Sequence, residues 1–184
     1  MSDGPLGIGR RVVVTGMAGS GKSTFSRSLA ARTDLPLIPL DVHFWKPGWV
    51  APSENEWREK QISLLSGDAW IADGNYDETL DVRLQRADTV VYLDTPWWVC
   101  SARAFVRGLR KPTDEMPEGC DDSPWRRLRD EWRLAILIWR NRRSEPEREQ
   151  AIISKFGQHT VVHRLGTKQA ATELLERLGV DDRL

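Results

Sequence analysis

Short apolar runs rich in β-branched residues alternate along the chain with longer stretches of helical periodicity. The runs are RVVVT at 11–15, PLIPL at 36–40, AWIAD at 69–73, TVVYLD at 89–94 and HTVVHR at 159–164. None alternates apolar with polar, so each predicts a strand covered on both faces, as in a parallel sheet with crossover helices. Apolar positions spaced by three and four predict helices over 22–32, 54–66, 77–86, 96–107, 124–142, 145–156 and 167–178. Ser53 and Glu56 have the spacing of a capping box, and Ser123 before Pro124 places a cap ahead of a proline at the first helical position. Strand and helix in repeated alternation, with extra helices before the last pair, predict a doubly wound α/β domain around a parallel five-stranded sheet. Residues 1–9 predict a flexible tail, and residues 10–184 a single domain.

Composition adds little and excludes more. Lys plus Arg equals Asp plus Glu at 27 each, so no net positive field argues for nucleic acid. The total conceals a crowd of Arg126, Arg127, Arg129, Arg133, Arg140, Arg142 and Arg143. Two cysteines, Cys100 and Cys120, suit a reducing cytosol and not a disulfide framework. They lack metal-ligand spacing, as do His43, His159 and His163. With no signal-peptide pattern and no apolar run near a membrane span, the expectation is a soluble cytoplasmic protein.

The strongest chemical signal follows the first strand directly. GMAGSGKST, from Gly16 through Met17, Ala18, Gly19, Ser20, Gly21, Lys22 and Ser23 to Thr24, matches G-x-x-x-x-G-K-[ST]. Its glycines let successive amides point at phosphate oxygens, Lys22 reaches the β- and γ-phosphates, and the Ser23 hydroxyl ligates Mg²⁺. The following helix aims its positive end at the same phosphates. A nucleotide, ATP or GTP, is therefore expected with Mg²⁺. The N-K-x-D base-reading motif of GTPases is absent, and a chain this short with its P-loop almost at the start fits the small kinases.

GMAGSGKST, LDVHFWKPGWV, WIADGNYDETLDVRL, ADTVVYLDTPWWVCSARAFVRGLR and DEMPEGC together resemble the adenylate-kinase-like P-loop kinases, within them the group called DNA topology modulation proteins. That resemblance implies the P-loop NTPase three-layer fold with a small helical lid over about 108–145. In nucleoside monophosphate kinases a strand ends in D-G-F-P-R, whose Asp orders Mg²⁺ through water and whose Arg grips the acceptor phosphate. Here Asp73 and Gly74 match, and Asp77 stands where the arginine would be. The arginine that follows the second strand in those enzymes is likewise missing from Val42, His43 and Phe44. Arg103 and Arg107, nine and thirteen residues beyond Asp94, keep the family spacing for arginines entering the phosphoryl-transfer site, and they share one helix face. Lid arginines would come from Arg140, Arg142 and Arg143, with Arg142 placed at the substrate. Arg164 and the loop through Thr167 would flank the base of the donor.

Asp41 closes the second apolar run at the carboxyl edge of the sheet, where ligands of open α/β folds collect. Small P-loop kinases acting on alcohols, such as shikimate and chloramphenicol kinases, are similar in placing an Asp here. A carboxylate orients an attacking hydroxyl and accepts its proton. The alternatives are that Asp41 caps the strand end or binds Mg²⁺ through water, or that His43 is the base. Phe44, Trp45 and Trp49 read as walls of an acceptor pocket, joined by Asn75 and Tyr76. Lys46 is the residue that would reach a phosphate or carboxylate. Trp125, Trp132 and Trp139 recur every seven residues, with Leu128 and Ile136 between them. This stripe predicts packing against the sheet or a second subunit, leaving a homodimer open.

The leading reading is a phosphotransferase that moves the γ-phosphate of ATP or GTP to a hydroxyl of a small molecule. Nucleosides, sugars and nucleoside-type antibiotics are the candidate acceptors, the last implying self-resistance. The competing readings are a nucleoside monophosphate kinase, opposed by the missing arginines, and a nucleotide-binding DNA-interacting regulator, opposed by the neutral charge.

Overall fold

The computed structural model describes residues 7–108, 118–120 and 123–180, apart from a few side chains at helix ends. Five strands, β1 (Arg11–Thr15), β2 (Leu37–Pro39), β3 (Trp70–Asp73), β4 (Thr89–Leu93) and β5 (Val161–Leu165), form one sheet in the order β2-β3-β1-β4-β5. Every pairing is parallel. The helices are α1 (Lys22–Thr33), α2 (Leu40–Phe44), α3 (Glu54–Leu64), α4 (Leu80–Leu84), α5 (Trp97–Gly108), α6 (Pro124–Asn141), α7 (Ser144–Phe156) and α8 (Lys168–Val180), with a 3-10 turn at Asp77–Thr79.

Alternate residues of each strand feed opposite faces of the sheet, which separates the core into layers. Val12, Val14, Ile71, Val91 and Leu93 pack with Phe25 and Leu29 of α1 and Leu174, Leu175 and Leu178 of α8. Val13, Trp70, Ala72, Val90 and Tyr92 pack with Leu65 and with α4 and α7 through Leu80, Leu84 and Ile153. A third cluster, Met17, Cys100, Ala104 and Ile138, joins the P-loop to α5 and α6. These two helices form an antiparallel hairpin. Ser101 Oγ donates to Ala135 O, Phe105 meets Trp132, and Arg107 pairs with Glu131.

Four expectations are corrected. The second strand stops at Pro39, and Asp41 sits in the first turn of α2 instead of ending the strand. Leu40 is fully buried and Phe44, four residues on, packs on Trp57, so a helical turn satisfies both on one face. β5 is not covered on both faces: as an edge strand it leaves Val161 and Val162 45% and 48% exposed. Residues 7–9 do not belong to a loose tail. Ile8 is buried in the core, and Gly9 N donates to Thr89 Oγ1 at 2.8 Å. Residues 1–6 of the expected tail, and most of the expected lid loop, lie outside the described residues. Lastly, the tryptophan stripe of α6 does not pack on the sheet. Ile138 and its neighbours Leu134 and Ala135 face the core, while Trp125, Trp132 and Trp139 are 82%, 55% and 52% exposed.

Candidate active site

The chain leaves β1 toward β2 on one side and later returns to β4 on the other, so the sheet switches direction at the carboxyl end of β1. The P-loop occupies that point, where open α/β folds collect ligands. Gly19 has φ +81°, and a Cβ there would lie 2.5 Å from Cys100 O, so both conformation and space require glycine. Lys22 is buried, and its Nζ donates to Gly16 O at 2.6 Å and Met17 O at 3.1 Å. These carbonyls hold the ammonium against the loop.

Asp73, at the end of β3, is buried beside the loop. Burial pushes its carboxyl up, while the Lys22 charge and a hydrogen bond from Ser23 pull it down. Its Oδ1 is buried with no partner. A serine hydroxyl and an uncommitted carboxylate oxygen at the head of the P-loop fit a hydrated divalent cation. Among the described residues no group of three or more His, Cys, Asp or Glu could hold a metal. A cation here would therefore draw most ligands from nucleotide phosphates and water.

Asp41 faces this edge from α2, and its charge is among those that push the Asp73 carboxyl up. Tyr76 Oη donates to Asp41 Oδ1 at 2.7 Å. Burial, and then the Asp41 charge, raise the Tyr76 phenol, so it stays a donor. Aromatic rings surround the pair. Phe44 lies 4.7 Å from Tyr76, 5.0 Å from Trp45 and 5.1 Å from Trp57, and Trp45 lies 5.7 Å from Trp49. Trp49 belongs to a turn closed by a Lys46–Val50 bridge. Gly119 rests on that turn, accepting from Gly48 N at 3.0 Å. His43 neighbours the cluster on α2, its backbone carbonyl taking the Lys60 ammonium at 2.6 Å. Lys46 is tied to Glu56 at 2.9 Å.

Of the expected arginines, Arg103 is the one brought to the P-loop: its Nη1 donates to Ser20 O at 3.0 Å and Gly19 O at 3.4 Å. Arg107 forms a bidentate pair with Glu131, at 2.6 and 2.9 Å, which braces the α5–α6 hairpin. Arg142 donates to Trp139 O and stacks over Trp139 and Trp97. Trp97 packs in the cluster that includes Met17, which keeps Arg142 near the loop. Arg164 pairs with Asp94 at 2.7 Å, lies over Tyr92 and borders an open cleft of about 410 Å³ against α7.

Several site residues gave no sequence signal. Trp57 looked like an ordinary helix residue. Arg83 and Glu149 are fully buried, and Glu145 nearly so, although each stands in a stretch that reads as a solvated helix surface. Burial lowers the Arg83 guanidinium to about 10, with Glu149 foremost among the charges opposing the shift. Burial raises Glu145 and Glu149, and the Lys22 charge lowers both.

Comparison with family models and with curated proteins gives no match. Solved structures do match. The shikimate kinase from Acinetobacter baumannii in complex with shikimate aligns over 95% of both chains, at TM-score 0.55 and 19% identity. The fold is that of the P-loop NTPases. The shikimate kinase from Aquifex aeolicus covers 94% of this chain and 98% of its own, with TM-score 0.51 and 18% identity. That from Bacteroides thetaiotaomicron covers 95% and 99%, with TM-score 0.51 and 17% identity. Among the described residues no helix is long and apolar enough to cross a membrane.

Proposed function

We propose that this protein is a cytoplasmic P-loop kinase transferring the γ-phosphoryl group of ATP or GTP to a hydroxyl of a small, ring-bearing molecule. The observation that carries the reading is the Asp41 carboxylate, oriented by the Tyr76 hydroxyl inside an aromatic surround at the edge where the P-loop ends β1. The likeness in fold to kinases of shikimate agrees with it by analogy.

Lys22 would leave the Gly16 and Met17 carbonyls for the β- and γ-phosphates, and Arg103, already over the loop, would follow the charge of the transferring group. Ser23 and Asp73 would hold Mg²⁺, which supplies charge neutralisation on the phosphates when bound. Asp41 Oδ1 is occupied by Tyr76, leaving Oδ2 to orient the acceptor hydroxyl and take its proton. Phe44, Trp45 and Trp49 would offer stacking area to a sugar or nucleobase ring, so nucleosides and nucleoside-type antibiotics lead the candidates. Asp77, at the position of the family's phosphate-gripping arginine, is paired with Arg148 at 3.1 Å and offers no cation of its own to an acceptor phosphate. The exposed tryptophan face of α6 is read as a homodimer contact.

Asp41→Asn is expected to hold Mg-nucleotide affinity within about threefold and to cut turnover by about 10²-fold. Calorimetry and coupled kinetics read the two quantities. Loss of nucleotide affinity in step with turnover would make Asp41 a metal-site residue.

A further inference from the structure

The turn from Gly74 to Tyr76 is gripped by charged groups from two helices. From α4, the fully buried Arg83 donates Nη1 to Gly74 O at 2.7 Å and Nη2 to the carbonyls of Asn75 and Tyr76 at 2.8 Å each. From α7, Glu145 accepts from Asn75 Nδ2 at 2.6 Å, and Arg148 pairs with Asp77 at 3.1 Å. One helical turn on, Glu149 anchors α7 to β1 by accepting from Thr15 Oγ1 at 2.7 Å. Solvent would satisfy the carbonyls of an ordinary surface turn, whereas burying a guanidinium carries a desolvation penalty of several kcal/mol. So much charge spent on three residues indicates a turn whose geometry matters.

Asn75 is the residue this grip leaves incomplete. Its Nδ2 is committed to Glu145, while its Oδ1 is buried without a partner. An amide oxygen can only accept, so it requires an O–H or N–H donor. Glu145, bonded to the Asn75 amide, also feels the Lys22 charge, so the pair stands beside the P-loop where transfer is proposed.

We infer that Glu145 is a positioning residue: by taking the Asn75 side-chain amide it fixes the Asn75 carbonyl oxygen as the hydrogen-bond acceptor for a hydroxyl of the phosphoryl-accepting substrate. This rests on the kinase reading and deepens it, since the acceptor must then carry a second donor group beside the reacting hydroxyl. An acceptor rich in hydroxyls fits, and a flat aromatic alcohol with one hydroxyl does not.

The test uses Glu145→Ala and Glu145→Gln in the full chain. Gln keeps an oxygen that accepts from Asn75 but removes the charge near Lys22. In Glu145→Ala, acceptor KM should rise at least about tenfold with Mg-nucleotide affinity within about threefold, and Glu145→Gln should recover most of that loss. Hydrogen exchange of peptides spanning 74–77 should quicken in the alanine variant and recover in the glutamine variant. An unchanged acceptor KM with faster exchange would show that the Asn75 oxygen does not meet the acceptor, and would overturn the inference. A glutamine variant as impaired as alanine would overturn it too, because charge near Lys22 would then be the operative property. If wild type phosphorylates no acceptor, the kinase reading fails and the substrate role of Asn75 fails with it. Exchange that does not respond to either variant would separately overturn the Glu145 grip.

Discussion

Arg83 shows how a single side chain supports the site without touching a reactant. Its three hydrogen bonds hold the turn carrying Tyr76, and Tyr76 in turn holds Asp41. Arg83→Met would take the side-chain donor from the Gly74 and Asn75 carbonyls in the interior and remove the positive charge near Glu149. It is expected to destabilise the protein by about 2–5 kcal/mol in chemical denaturation, the scale for stranding buried hydrogen-bond acceptors. A loss under about 1 kcal/mol would mean that water replaces the guanidinium. At this scale spacing rules located some of the residues gathered at the P-loop and missed others. Lys22, Ser23 and Asp73 stand together as their motifs imply, and Arg103 reaches the loop. Arg107 has the same helical spacing, yet Glu131 claims it, because the α5–α6 contact is a tertiary fact that no local pattern contains. The buried Glu145–Asn75 contact spans 70 residues of chain and was invisible for the same reason.

At the scale of elements, α3 is the case where a short motif did what its spacing says. Ser53 and Glu56 close the capping box, and Lys46 adds an ion pair to the same glutamate. The Lys46 hydrogen bond, followed by those from Ser53, lowers Glu56 from 4.5 to about 2. A depressed carboxylate contributes stability above its unfolded value and loses it as pH falls through the folded one. The α3 start should therefore loosen between pH 4.5 and about 2. In Lys46→Met the Glu56 midpoint should move up toward 4.5, read by side-chain carboxyl NMR, and a midpoint that stays near 2 would contradict this. The short α2 was harder to see. Its apolar run reads as strand to the end, and only the packing of Leu40 and Phe44 on partners far along the chain turns it into a helix. Stripe periodicity on α6 identified the helix but not its buried side, since both faces carry large apolar residues.

For the whole molecule, the parallel five-stranded sheet followed from buried β-runs alternating with helices, and β1, β3 and β4 are buried as their composition implies. The edge position of β5 was not legible, because its valines look the same inside a sheet or at its margin. The exposed face of α6 exceeds what scattered surface apolar residues present, and Phe105 of α5 continues it beside Trp132. A second copy of the same face would cover it with matched apolar area in an isologous contact. Sedimentation at micromolar concentration should show a dimer, and Trp132→Glu a monomer; a monomeric wild type would contradict the contact.

Acceptor chemistry separates a hydroxyl kinase from a monophosphate kinase. Asp77 engages Arg148 where a phosphate grip would stand, Lys46 engages Glu56, and a carboxylate surrounded by aromatic rings faces the P-loop edge. The direct test is nucleotide consumption by the wild-type protein with Mg²⁺ against two panels. One holds nucleoside monophosphates, and the other nucleosides, hydroxylated sugars and nucleoside-type antibiotics. Turnover with members of the second panel, absent with the first, is the expected result. Robust turnover confined to the monophosphates would contradict the account and make the protein a nucleotide-metabolising kinase.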